Sequence, residues 1–252
     1  VLDPPDCNDP AFVARLAELK PELGVLVAHG SILRPPLLAV PARGFINLHP
    51  SLLPCWRGAA PIQRALMAGA DETGVTIIRM NERVDAGDIL AREAHPVGPE
   101  ETFGELAARL AEAGARLLLD TIDRLTREEV AGLPQNPSRA CPAPRIRTED
   151  RRLDWSRPAR QLHDHVRALS PHPGAVAGFR GRRLLILRSR IVPDAPADDT
   201  PAGTFLLDRP GLAVRTGDGA LELIELRPEG GRLQPGRDFR NGARLVPGER
   251  LT

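Results

Sequence analysis

The chain has 252 residues, 42% of them apolar, a formal charge of +1 and only three cysteines, Cys7, Cys55 and Cys141. No apolar run reaches membrane-spanning length, and the cysteines are scattered without a CxxC pair, which argues against a membrane protein, a disulfide framework or a cysteine-held zinc. A reducing, cytoplasmic setting and room for two domains remain.

The opening VLDPPDCNDP carries neither a capped helix, a full strand nor a leader pattern. PAFVARLAELK, from Pro10, has apolar positions at helical spacing, and GVLVAHG, from Gly24 to Gly30, reads as a short strand that wants burial on both faces. A short helix or turn around RPPLLAV leads to the strand GFINLH and then to a helix with Pro61 in its first turn. GVTIIRM is the next strand, NERVDAGDI a turn-rich loop, and ILAREAHPV a strand returning beside it. VGPEETFGEL opens a long helix, with Thr102 and Glu105 spaced as a capping box and Leu106, Leu110, Leu117, Ile122 and Leu125 along one face.

Residues 133–150, LPQNPSRACPAPRIRTED, are rich in Pro and charge and lack periodicity, which predicts a linker between domains at 1–132 and 151–252. DWSRPARQLHDHVRAL follows as a helix, with Ser156 as N-cap and Pro158 in the first turn. Five short strands, AVAGF, LLILRSRIV, GTFLL, LAVRT and LELIELR, are separated by turn signals and predict a small β-barrel. Basic and acidic residues number 14 and 19 before Cys141 but 20 and 14 after it. Lys20 is the only lysine, so the C-terminal excess is guanidinium, which suits phosphate recognition, although biased base composition also raises arginine.

Within FINLHPSLLPCWRGAAPIQRAL, Asn47 and His49 are two apart on a strand and share a face, at the carboxyl edge where open α/β sheets bind ligands. An amide N–H stabilises a developing oxyanion and an imidazole moves protons near neutral pH, a combination suited to acyl transfer to nitrogen. A structural strand-end histidine fits the same pattern. Asp85 and Asp88 are rival carboxylate partners for His49, and spacing does not choose between them. His163 and His165 diverge on a helix, and His95 and His172 lie beside prolines, so no metal site is expected.

FINLHPSLLPCWRGAAPIQRALMAGADETGVTIIRM, VDAGDIL, DWSRPARQLHDHVRALSPHPGA, TGDGALELIELRP and DFRNGARLVPGERL resemble the folate-dependent formyltransferases, and the resemblance runs over the whole chain. It implies a Rossmann-like α/β formyltransferase domain followed by an OB-like β-barrel that binds tRNA. It also implies 10-formyltetrahydrofolate as formyl donor and the amino group of methionyl initiator tRNA as acceptor; no obligate protein partner is evident in the sequence. Carried onto this sequence, the catalytic set falls on Asn47, His49 and Asp85. Ser51, Leu52, Leu53 and Pro54 match the folate-binding turn, and Gly30, Ile32 and Leu33 would line the pterin pocket. His29 stands where the family often has an aromatic residue. The family pattern begins earlier, so on the order of 60 residues, roughly two βα units, are expected upstream of Val1 and would cover the first strand. Alternatives are a formyltransferase or hydrolase with another acceptor, such as a sugar amine or water, and an inactive RNA-binding remnant. The closing C-terminal motifs favour the tRNA acceptor.

Overall fold

The computed structural model describes residues 1–128, 130–193 and 199–252, which form two compact units. The first comprises Val1–Ile62, Glu72–Pro96 and Ala107–Arg145. Its sheet runs in the order β1 (Gly24–Val27), β2 (Phe45–His49), β3 (Glu72–Arg79), β4 (Ile89–Pro96), with β1 and β2 parallel and the other pairs antiparallel. The α-helices in chain order are α1 (Pro10–Glu18), α2 (Pro35–Leu38), α3 (Pro61–Met67) and α4 (Phe103–Arg127). Asp9 caps α1 by accepting the amides of Ala11 and Phe12 at 2.9 and 3.1 Å. Ile46, Ile77 and Leu90 on the sheet are buried against Leu125 of α4, with Leu117 and Ile122 from the same predicted stripe. On the other side of β2, Phe45 is buried with Leu33 and Leu37.

The predicted strand GVLVAHG stops at Val27, because Ala28 turns to a φ of +53° and sends His29 and Gly30 into a loop. Burial on both faces is not observed: β1 is an edge strand, and Val25 and Val27 are 43% and 53% exposed.

The second unit comprises Gln63–Asp71, Val97–Leu106 and Ile146–Thr252. Helix α5 (Ala159–Leu169) precedes β5 (Ala175–Phe179), β6 (Arg182–Val192), β7 (Phe205–Leu206), β8 (Ala213–Arg215), β9 (Ala220–Pro228), β10 (Gln234–Pro235) and α6 (Gly236–Ala243). These strands form one antiparallel sheet in the order β5, β6, β9, β8, β7, with β10 also on β9. Register shifts in β6 around Arg188 bend it, as bulges do, into the curled half-barrel of an OB-like domain. Leu162, Val166 and Leu169 of α5 are buried against Ile186, Leu221 and Leu223 of the sheet, and Phe179 meets Phe205 and Phe239 edge to face.

Ser156 is not the N-cap of α5. That position is Pro158, and Ser156 instead gives its amide and hydroxyl to Asp154 at 3.1 and 2.6 Å, closing a turn before the helix. Among the described residues no helix is long and apolar enough to cross a membrane.

Candidate active site

The pleat of β2 sets Asn47 and His49 on one face, and both line a cavity of about 580 Å³ in the first unit. Gly30, Ile32 and Leu33 reach it from the loop after β1. Val84 and Asp85 reach it from the loop after β3. Gly30 leaves its surroundings open, with nothing within 4 Å of where a Cβ would sit.

His49 is 4% exposed and has a polar neighbour at each ring nitrogen. Nε2 lies 2.9 Å from the Trp56 carbonyl oxygen, and Nδ1 lies 3.6 Å from Oδ2 of Asp85. A carbonyl can only accept, so Nε2 carries a proton. Nδ1 faces the carboxylate at ion-pair distance rather than through a hydrogen bond. Asp85 is the carboxylate that the fold brings to His49. Asp88 is exposed and turns toward Gly132 instead.

Two further contacts hold Asp85, which has a φ of +49°. Its Oδ2 accepts the Gly58 amide at 2.9 Å. Gln135 Nε2 donates to the carbonyls of Asp85 and Gly87 at 2.9 and 2.7 Å, spanning the turn. Arg57 in turn donates Nε and Nη2 to Gln135 Oε1 at 3.1 and 2.6 Å, which fixes the orientation of the amide. Trp56, Arg57, Gly58 and Gln135 were not singled out from the sequence. Gln135 lies in the aperiodic stretch predicted as linker, where nothing local marks an amide that clamps a turn 50 positions away.

Ser51, Leu52, Leu53 and Pro54 are not brought to the cavity wall. Ser51 and Leu53 are fully buried: the Ser51 hydroxyl donates to Cys55 O at 2.6 Å, and Thr76 Oγ1 donates to Ser51 O while accepting the Leu53 amide. They build the turn that delivers Cys55–Gly58 to His49.

A family model for formyl transferases matches residues 2–122, and one for the formyl transferase C-terminal domain matches residues 145–244. The methionyl-tRNA formyltransferase of Roseiflexus castenholzii is 43% identical over 251 residues, which take in 100% of this chain and 80% of that protein. The chain belongs to the formyl transferase family, among the methionyl-tRNA formyltransferases. The Thermobifida fusca methionyl-tRNA formyltransferase, 39% identical over 251 residues, likewise takes in 100% of the chain and 80% of its own length. Among solved structures, HypX from Aquifex aeolicus in complex with tetrahydrofolic acid aligns at a TM-score of 0.69 and 22% identity, over 92% of this chain and 40% of its own. Methionyl-tRNA formyltransferase from Clostridium thermocellum aligns at 0.58 and 19%, over 77% and 81%. At those identities the structures speak to fold, and the fold is that of this formyl transferase family. The chain is thus a formyl-transferring, one-carbon group transferase.

Proposed function

We propose that this chain carries the formyl group of 10-formyltetrahydrofolate to the α-amino group of methionyl initiator tRNA, in the cytoplasm, with Asn47, His49 and Asp85 as the reacting set. The observation that supports this is an amide and an imidazole on one cavity wall, the ring bonded to the Trp56 carbonyl with a carboxylate behind it. The donor fits this cavity: its volume lies within the roughly 300–1,000 Å³ of small-molecule sites, and Ile32, Leu33 and Val84 give it apolar walls around a few polar groups.

When bound, the donor supplies a formyl carbon open to attack by a neutral amine. Asn47 Nδ2 donates to the oxygen on which negative charge develops, and the His49 imidazolium adds positive charge beside it. His49 then yields its Nε2 proton, now held by Trp56 O, to the nitrogen that leaves, and takes one back from the attacking amine. Asp85 keeps the ring oriented through Nδ1 during that exchange. Arginines of the second unit would take the phosphates of the acceptor tRNA.

Single-turnover formylation of methionyl-tRNA tests the assignment. Asn47→Ala is expected to slow transfer by about 10²- to 10³-fold and His49→Ala by about 10²- to 10⁴-fold, with the fold intact. Asp85→Asn should also slow it, while Asp88→Asn should not. Near-normal rates in Asn47→Ala and His49→Ala, or a larger loss at Asp88 than at Asp85, would overturn the roles.

A further inference from the structure

Cys55 and Cys141 are distant in sequence and adjacent in the fold. Arg57 and Pro142 pair in a parallel bridge, with the Arg57 amide donating to Cys141 O at 3.0 Å and the Ala143 amide to Arg57 O at 2.6 Å. One residue earlier, the Trp56 amide donates to Cys141 Sγ at 3.1 Å. That nitrogen is two bonds from Cys55 Cα, which places the Cys141 sulfur within disulfide reach of Cys55. Both residues are partly exposed, and the Cys55 thiol donates to Arg139 O at 3.5 Å. Burial and the adjoining Cys141 thiol push the Cys55 thiol above its usual range.

We propose that Cys55 and Cys141 are a redox-active pair that closes to a disulfide under a hydroperoxide and loosens the hold on His49. Cys141 is assigned the first step because its sulfur receives the Trp56 amide, whereas the Cys55 thiol is engaged with Arg139 O. With hydrogen peroxide, Cys141 sulfur attacks one oxygen, the O–O bond breaks, and one water leaves as the sulfenic acid forms. Cys55 sulfur then attacks Cys141 sulfur, the S–O bond breaks, and the Cys55 proton departs with hydroxide as a second water. Two thiols give up two electrons and two protons, and the peroxide is reduced to two waters.

The coupling runs through a single peptide unit on each side of Trp56. Its amide rests on Cys141 Sγ and its carbonyl on His49 Nε2, and these bonds hold a tryptophan at a φ of +65°. A disulfide turns the Cys141 sulfur toward Cys55 and away from the Trp56 amide that rests on it. The carbonyl that fixes His49 is then free to shift. This effect on rate rests on the role proposed for His49; formation of the disulfide does not.

The test treats the reduced full chain with hydrogen peroxide, traps free thiols, maps linked peptides by mass spectrometry and measures formylation before and after dithiothreitol. The expected product is an intramolecular Cys55–Cys141 link, with a rate loss that reaches on the order of 10²-fold, the scale of a small misplacement of a reacting group, and full recovery on reduction. Cys55→Ser should keep the reduced rate and lose both the link and the reversible inactivation, whereas Cys7→Ser should keep both. Sulfinic acids or intermolecular links alone would overturn the pair. A Cys55–Cys141 link with an unchanged rate would overturn the coupling to His49. A reduced chain unable to transfer formyl would count against the proposed function instead, and the peptide map would still decide the redox pair.

Discussion

Gly58 meets two demands at one residue. Its amide donates to Asp85 at 2.9 Å, and its φ of +126° is a conformation that L side chains rarely adopt. A Cβ there would also stand 2.6 Å from the Ala143 carbonyl oxygen, a backbone atom that cannot swing aside. Gly58→Ala is therefore expected to destabilise the chain by about 1–3 kcal/mol and to slow formyl transfer, because the amide that aims Asp85 is displaced. Urea unfolding and single-turnover rates on the same protein check both. Lost stability with an unchanged rate would mean that this amide does not orient the carboxylate. At this scale the site was half legible. Asn47 and His49 stand out because a strand repeats every two residues. The choice of Asp85 over Asp88 does not, since both sit in a turn-rich loop whose path depends on Gly87, where a Cβ would fall 1.7 Å from Arg79 O.

Some elements with a local signal are legible in the sequence. The start of α4 is one. Thr102 gives its amide and hydroxyl to Glu105 at 2.9 and 2.8 Å, and the Glu105 amide returns to Thr102 Oγ1 at 3.4 Å. The Thr102 amide first, and then Arg188, hold the Glu105 carboxyl down at about 2 against an ordinary 4.5. A depressed carboxyl contributes stability that is complete above its ordinary value and lost as pH falls through the folded one. Thr102→Ala should thus cost about 0.5–2 kcal/mol near neutrality. Glu105→Gln should flatten the fall in stability between pH 4.5 and about 2, and urea unfolding across that range measures it. A slope identical to the parent chain would show that Glu105 is not the group titrating there. Elsewhere the local signal is absent or misleading. α6, GRDFRNGA, opens on glycine and has Phe239 as its buried large side chain, so no apolar stripe announces it. α5 begins after Pro158 because the Ala159 amide bonds to Asp218 O, a partner that no capping pattern near Ser156 reveals.

Across the whole molecule, the charge split reads differently once side chains are placed. Residues after Cys141 hold 20 basic against 14 acidic side chains, which in sequence suggests a broad cationic surface. Much of that charge is already matched: Arg180 with Glu249 at 2.6 Å, Arg183 with Glu229 at 2.8 Å and Arg190 with Glu222 at 2.6 Å, while Arg188 sits against Glu105. Such exposed pairs add little stability, yet each lowers the charge presented to a phosphate. Arg182 is exposed and, among the described residues, has no hydrogen-bond or ion-pair partner for its guanidinium, so it differs from its neighbour Arg183 in a way that composition cannot show. Binding of methionyl-tRNA to the full chain over a salt series should therefore separate the two. Arg182→Ala is expected to flatten the log–log salt dependence by about 0.7–0.9, the contribution of one phosphate contact, whereas Arg183→Ala leaves it nearly unchanged because Glu229 already neutralises that side chain. Arg183→Ala flattening the slope as much as Arg182→Ala would show that the Glu229 pair opens on binding. A salt-independent affinity would remove phosphate contacts from the recognition altogether.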